Sequence, residues 1–318
     1  MEIDDLKTYP HVGMVALAGR ANVGKSSLVN TLVGEKVTIV SPVAQTTRNT
    51  IRAIYTEDRG QLVFLDTPGI HRAKNPLGRR MNKAARAASD GVDVLLLVVD
   101  ATEPPRMEDD GWMRRIVRRD LPAALVFNKC DQPLRYKSAF LDLWKEILAE
   151  AEAEEKENPD SDSPLTRDLP AFETSAVNQK GLPNLLEWMF ARLPEGPLLF
   201  PADMVSDFPR RWAIADLIRE QWFKGLREEL PHQMDVCVEE LDEVDGVMHV
   251  QATVYLERPS QKGILIGAKG RVLQRVKSDA VREILAAYEP KRVKLEIFIK
   301  VEPGWRKNFW ILRKMGYA

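Results

Sequence analysis

The sequence predicts an α/β chain in two parts. A domain of mostly parallel sheet with helices on both faces covers residues 1–193, and a smaller α+β domain covers 211–318. Three features predict it. Short apolar runs alternate with helical periods through the first part, the pattern of strands crossed over by helices. Pro194, Pro197, Pro201 and Pro209 then break the alternation and stiffen a linker over 194–210. Beyond it come a helix, two strands, two more helices and a strand, with alternation at Val236, Val238, Val250, Ala252 and Val254.

In chain order, residues 14–18 are a short apolar run, hence a buried strand, and Leu28, Leu32 and Val33 follow at helical spacing. Residues 41–49 are polar and lack a period, so they read as a loop. Strands follow at 51–56 and 61–65, joined by Asp58-Arg59-Gly60. Helices are expected at 76–88, 108–118, 136–149 and 182–192, and strands at 93–99, 123–127 and 171–174. Residues 150–168, rich in Glu and Asp, read as a solvated helix end running into a flexible acidic loop. In the second part a helix is expected at 212–229, strands at 234–241 and 247–257, a helix at 272–288, a strand at 293–301 and a last helix at 305–315.

The bulk properties exclude several classes. The chain has 318 residues, 44% hydrophobic and 29% charged, with net charge -1, as expected of a soluble protein without an overall pull toward polyanions. Cys130 and Cys237 make no disulfide framework and suit a reducing compartment. The start Met1-Glu2-Ile3-Asp4-Asp5 is no signal peptide, and the longest apolar run, 94–99, is too short for a bilayer. His11, His71, His232 and His249 are scattered without zinc spacing. A cytoplasmic monomer with no disulfide or zinc partner is expected.

Gly19-Arg20-Ala21-Asn22-Val23-Gly24-Lys25-Ser26 fits G-x-x-x-x-G-K-[ST], the phosphate-binding loop, and stands between strand and helix as that motif requires. Its glycines let backbone N–H groups curl toward phosphates, and the helix start adds positive potential. Lys25 would reach the β- and γ-phosphates, Ser26 would ligate Mg²⁺, and Ser27 continues the cradle. Asn128-Lys129-Cys130-Asp131 fits N-K-x-D at a strand end. Asp131 can accept from N1–H and the 2-amino group of guanine, a donor pair adenine lacks. Asn128 would brace the loop, Lys129 would lie along the base, and the Ser175-Ala176 backbone would meet guanine O6. Asp66-Thr67-Pro68-Gly69 is D-x-x-G: Asp66 would hold Mg²⁺ through a water, and the Gly69 N–H would sense the γ-phosphate and release on cleavage. One threonine of the loop 45–49, Thr47 in preference to Thr46, would complete the Mg²⁺ shell. Lys25, Thr47 and Gly69 are thus the catalytic candidates, with GTP/GDP and Mg²⁺ as ligands.

Together Asn22-Val23-Gly24-Lys25-Ser26, Gln45-Thr46-Thr47-Arg48, Asp66-Thr67-Pro68-Gly69-Ile70-His71 and Asn128-Lys129-Cys130-Asp131 resemble the translation-factor class of small GTPases, and within it the Era family. Ras-like enzymes carry a water-orienting glutamine where this chain has Ile70, a replacement the Era-like group shares. Slow hydrolysis without a partner is therefore expected.

Residues 258–318 contain fifteen Lys or Arg against five Asp or Glu, a basic region in a neutral chain. Within it Gly267-Ala268-Lys269-Gly270 fits G-x-x-G before a long helix, the signature of a KH domain that clamps about four nucleotides. Lys269 adds charge. Ile264, Ile266, Leu273 and Val276 would form an apolar floor, and Arg271, Arg275 and Lys277 would follow the strand. The element order is that of a type II KH domain, which the Era family carries after its GTPase domain. The run Trp305-Arg306-Lys307-Asn308-Phe309-Trp310 reads first as packing on the KH sheet and second as base stacking. The resemblance implies binding of the 3′ end of 16S ribosomal RNA, a role in assembly of the small ribosomal subunit, and peripheral contact with the inner membrane, for which no lipid motif or amphipathic anchor is seen. Two other readings stand beside it: a GTPase that regulates a protein or membrane partner through a second domain that does not bind RNA, and an RNA-binding protein with a structural nucleotide that is not turned over.

Overall fold

The computed structural model describes residues 7–41, 46–69, 76–157, 164–226 and 230–317. Its contacts divide the chain into two compact units. The first comprises Met1–Thr38, Thr50–Arg72 and Met81–Asp207, and the second Ile39–Asn49, Ala73–Arg80 and Phe208–Ala318.

The first unit runs β1 (Thr8–Tyr9), β2 (His11–Ala18), α1 (Lys25–Val33), β3 (Ile51–Glu57), β4 (Gly60–Asp66), α2 (Pro76–Ala87, from Met81 onward), β5 (Val94–Asp100), α3 (Met107–Val117), β6 (Ala123–Asn128), α4 (Lys137–Glu157), β7 (Ala171–Glu173), α5 (Leu182–Phe190) and β8 (Gly196–Pro197). Six strands form one sheet in the order β3-β4-β2-β5-β6-β7. Only β3 is antiparallel to its neighbour. Because β5 and β6 are covered on both faces, they read as unbroken apolar runs. Alternate side chains supply two cores. Leu95, Leu97, Leu125 and Phe127 pack with Trp112, Ile116, Phe140 and Ile147 of α3 and α4. Leu96, Val98 and Val126 pack on the other face with Leu28, Leu32, Leu185 and Met189 of α1 and α5. The parallel ends of β2, β4, β5 and β6 all point one way and carry the motif residues out of the sheet, as in other open α/β folds.

Two expectations fail here for local reasons. The helix expected to end at 149 continues as α4 to Glu157. Its acidic residues are not a loop: Glu150 pairs with Arg114 at 2.5 Å, Glu154 with Arg118 at 2.8 Å and Glu155 with Arg167 at 2.6 Å, while Ala151 is buried. Residues 158–163 of that acidic stretch lie outside the described residues. The segment expected to be a linker is laid onto the first unit as far as Asp207. β8 pairs with β1, and the side chain of buried Gln61 accepts from the N–H groups of Leu199 and Phe200, both at 2.9 Å. The Ile54 N–H donates to Val205 O at 2.8 Å, and Arg52 pairs with Asp207 at 2.6 Å.

The second unit runs α6 (Arg210–Phe223), β9 (Met234–Val244), β10 (Val247–Leu256), α7 (Pro259–Ile266), α8 (Arg271–Tyr288), β11 (Arg292–Val301) and α9 (Phe309–Lys314). The sheet order is β11-β10-β9, with β10 antiparallel to β9 and parallel to β11. Asp245 and Gly246 take positive φ between β9 and β10, as a tight hairpin demands. One sheet face packs Val236, Val250, Ala252 and Val254 against Ile214, Ile218 and Trp222 of α6 and Val276, Ala280 and Ile284 of α8. Val276 is thus fully buried in the core and forms no floor for a base. α6 ends at Phe223, before a turn through Gly225, rather than continuing to 229; residues 227–229 lie outside the described residues.

Candidate nucleotide site and candidate nucleic-acid interface

The loop after β2 is held in the curled form its glycines allow. Gly19 has φ 138, and a Cβ there would meet Val98 O at 2.2 Å; Gly24 has φ 97, and a Cβ would meet Asn128 Nδ2 at 2.2 Å. Another residue would press on the β5 backbone at Gly19 and on the Asn128 side chain at Gly24, each at a φ that L side chains rarely adopt. Buried Lys25 donates from Nζ to the carbonyls of Gly19 at 3.0 Å and Arg20 at 2.7 Å, closing the loop on itself. Burial lowers its pKa to about 8, against the upward pull of Asp66 and Asp109. A phosphate in the loop would relieve that desolvated ammonium directly.

Ser26 Oγ donates to Asp66 Oδ2 at 2.6 Å, so two hard oxygen donors from the ends of the loop and of β4 meet at one point. That donor set fits Mg²⁺, which takes one or two protein oxygens beside phosphate and water. Thr67 Oγ1 donates to Leu17 O at 2.7 Å, and Gly69 lies so close to the loop that a Cβ would come 2.4 Å from the Ala21 nitrogen. Pro68 is buried between them. Ala21, Ser26 and Ser27 are half-buried, Val23 is buried and Asn22 is exposed with φ 65. Gln45, Ile70 and His71 lie outside the described residues.

The third cluster stands at the ends of β6 and β7. Asn128 Nδ2 donates to Val23 O at 3.0 Å, tying this loop to the phosphate loop. Lys129 takes φ 64 and pairs with Asp100 at 2.6 Å. The Ser175 hydroxyl donates to Asp131 Oδ1 at 2.5 Å and fixes an otherwise exposed carboxylate. Ala176 is fixed through its carbonyl, which accepts from Thr31 Oγ1 at 3.0 Å. The geometry therefore joins phosphate, magnesium and base elements in one unit. Sequence reasoning missed three supports: Asp100 for Lys129, Thr31 for Ala176, and Asp109, which pairs with Arg20 at 3.0 Å. Only Asp100 had a signal, an acid ending an apolar strand.

In the second unit, Gly267 has φ 72 and closes α7, and a Cβ there would meet Val272 Cγ2 at 2.4 Å. Ala268, Lys269 and Gly270 form a short 3₁₀ turn into α8. Ala268, Lys269, Arg271 and Arg275 are exposed, Ile264 is 56% exposed, and Ile266 is half-buried. These residues form one surface around the turn. The Arg275 guanidinium lies against Gly225, where a Cβ would meet Nη2 at 2.1 Å.

A family model described as a 50S ribosome-binding GTPase matches residues 14–129, and a KH-domain model matches 229–306. The GTPase Era of Rippkaea orientalis is 38% identical over 310 residues, spanning 96% of this chain and 92% of the relative. The chain belongs to the Era family of GTPases. The GTPase Era of Carboxydothermus hydrogenoformans is 39% identical, with 96% and 97% covered. Among solved structures, Aquifex aeolicus Era bound to GDP·AlF4⁻ superposes with TM-score 0.83 at 34% identity, covering 97% of this chain and 99% of that one. An Era in complex with MgGDPNP and nucleotides 1506–1542 of 16S ribosomal RNA also gives 0.83, at 33% identity with 98% and 100% covered. As an Era-family GTPase the chain hydrolyses GTP, with Mg²⁺ as the ion its donor set accommodates.

One further cluster in this Era-family chain had no sequence signal. Thr46 and Thr47 are buried within the second unit. Arg219 of α6 donates to Thr46 O at 2.8 Å and pairs with Asp235 of β9 at 2.9 Å and with Asp216 at 2.8 Å. Arg48 pairs with the same Asp235 and donates to Met234 O at 3.1 Å. The Tyr317 hydroxyl donates to Asp235 Oδ2 at 2.8 Å. Burial pushes the Asp235 carboxyl upward, but Arg48 and Arg219 overcome this and hold it below its ordinary range.

Asp216 goes the other way. Burial drives it from 3.8 to about 6 despite Arg219, with Asp235 adding to the rise and Arg48 opposing it. An acid whose folded pKa lies above its unfolded value binds more protons when folded, so this group costs stability as pH climbs from 3.8 to about 6. Asp216→Asn removes that dependence. Its thermal midpoint should gain on the wild type between about pH 4.5 and about pH 7; a flat difference would mean that Asp216 ionises normally.

Proposed function

We propose that this chain is a GTP-driven switch that binds single-stranded RNA near the 3′ end of 16S ribosomal RNA and acts in assembly of the small ribosomal subunit. The observation that carries it is the pairing of a complete guanine-nucleotide constellation with an exposed, cationic G-x-x-G turn in one chain. The relative solved with 16S nucleotides has the same two domains over its full length, which supports the RNA assignment. In this reading the loop amides and Lys25 hold the β- and γ-phosphates, Ser26 and Asp66 hold the ion with Thr47 joining them in the triphosphate state, and Gly69 reports the γ-phosphate. Asp131 selects guanine, with Asn128, Lys129 and the Ser175-Ala176 backbone placing the base. Gly267 and Gly270 admit the RNA backbone, Lys269, Arg271 and Arg275 answer its charge, and Ile264 and Ile266 face its bases.

Gly267→Asp sets a carboxylate where phosphates approach and should abolish RNA binding while GTP hydrolysis persists. Lys269→Glu, which keeps a long side chain at an exposed position of φ 52, should weaken RNA binding at all sequences and lower the salt slope by about one. Unchanged RNA binding in both would make the second unit a module for a protein or membrane partner.

A further inference from the structure

The approach to α9 is fixed to the corner of the second unit from which α7 leaves. The Glu302 N–H donates to Leu256 O at 2.8 Å, the Gly304 N–H donates to the Glu257 carboxylate at 2.8 Å, and Arg306 pairs with Glu257 at 3.7 Å. From that corner α7 runs for eight residues, roughly 12 Å, to Gly267. The sequence reads the aromatics after Gly304 first as packing on the sheet. Trp305 is fully buried, but Phe309 is 48% and Trp310 66% exposed.

They are not loose. The Asn308 side chain caps α9 by accepting from the N–H of Trp310 at 3.0 Å, and Ile311, Leu312 and Met315 bury the opposite side. Trp212 Nε1 donates to Lys314 O at 3.0 Å and holds the far end. The two exposed rings stand edge to face, centroids 5.5 Å apart, and the Arg313 guanidinium lies 5.9 Å from the Trp310 ring. Aromatic side chains have few torsions to lose when a base stacks on them, and every base has a π-face.

Charge selects the occupant. Residues 303–318 contain four cations and no acid. Arg306 and Lys314 are engaged by Glu257 and Glu239, whereas Lys307 and Arg313 are exposed and make no ion pair among the described residues. Two exposed rings standing edge to face, flanked by two cations that make no ion pair among the described residues, fit unpaired bases and their phosphates.

We propose that Phe309 and Trp310 are a stacking platform for one or two RNA bases beyond those clamped at the G-x-x-G turn, with Lys307 and Arg313 meeting the adjoining phosphates. This rests on the RNA-binding reading of the second unit. Rings beside cations also suit a lipid headgroup layer; attachment at the start of α7, the helix that ends in the G-x-x-G turn, favours RNA.

The test compares a single strand of about four nucleotides with one of about twelve, on the full chain. Trp310→Ala should leave the short strand unaffected and weaken the long one roughly tenfold, the double variant with Phe309→Ala should weaken it further, and Trp310→Phe should restore it. The long strand should quench tryptophan fluorescence in the wild type and less in Trp310→Phe. Equal affinity of wild type and Trp310→Ala for the long strand overturns the platform, as does a loss confined to phosphatidylglycerol vesicles. Failure of the underlying reading looks different: Gly267→Asp would then leave both strands bound.

Discussion

Asp131→Asn should weaken GTP binding several hundredfold and turn the site toward xanthine nucleotides. The carboxylate is an acceptor only, and the Ser175 hydroxyl at 2.5 Å fixes one of its oxygens. It can therefore meet the two adjacent donors of guanine, N1–H and the 2-amino group. An amide sets a donor against the amino group, costs one bond and leaves a polar clash, about 3–4 kcal/mol or several hundredfold in affinity. Xanthine carries a carbonyl in place of that amino group, so the amide nitrogen gains an acceptor. Calorimetry with GDP and XDP on both proteins decides it. The variant should prefer XDP, and a retained guanine preference would remove Asp131 from the base site.

The second large effect is on stability. Asp235→Ala removes the one carboxylate shared by Arg48 and Arg219, whose side chains are buried. Asp216 still answers Arg219, but among the described residues Arg48 keeps only carbonyl partners, Met234 O at 3.1 Å and Pro231 O at 3.3 Å. Taking one partner from a buried network of this kind costs about 3–5 kcal/mol, far more than a surface pair. Urea unfolding followed by tryptophan fluorescence should show the second unit melting early. An unchanged midpoint would mean that water reaches the two guanidinium groups and that the network is dispensable.

The parts legible in the sequence were those where one residue type answers one chemical demand. Gly19, Gly24, Lys25, Ser26, Asp66, Asn128 and Asp131 stand at the ends of β2, β4 and β6 or in the turns that follow them, and are brought together there. The parts that escaped depend on partners far apart in sequence. Asp235 follows the period-two pattern of β9 and reads as a solvated residue on its outer face, yet it is buried by arginines from the 46–48 segment and α6. A helical wheel gives α6 one apolar face, but every residue from Ile214 to Phe223 is buried, so the polar ones must pair internally. The strap over 194–207 needed Gln61, a polar residue inside a buried strand, to be recognised as a backbone clamp. The acidic end of α4 looked like a loop because its arginine partners lie in α3 and near 167.

These buried contacts also bear on the proposed switch. Thr47 lies between Thr46, held by Arg219, and Arg48, held by Asp235. In the proposed switch, a triphosphate that recruits Thr47 to its ion would strain both attachments, and GDP would not. The decisive measurement is the affinity of the full chain for a 16S 3′-end single strand with a non-hydrolysable GTP analogue and with GDP, at one salt concentration. Dissociation constants in the two states should lie at least about fivefold apart, and Asp235→Asn should narrow the gap. Identical constants in the two nucleotide states would contradict it.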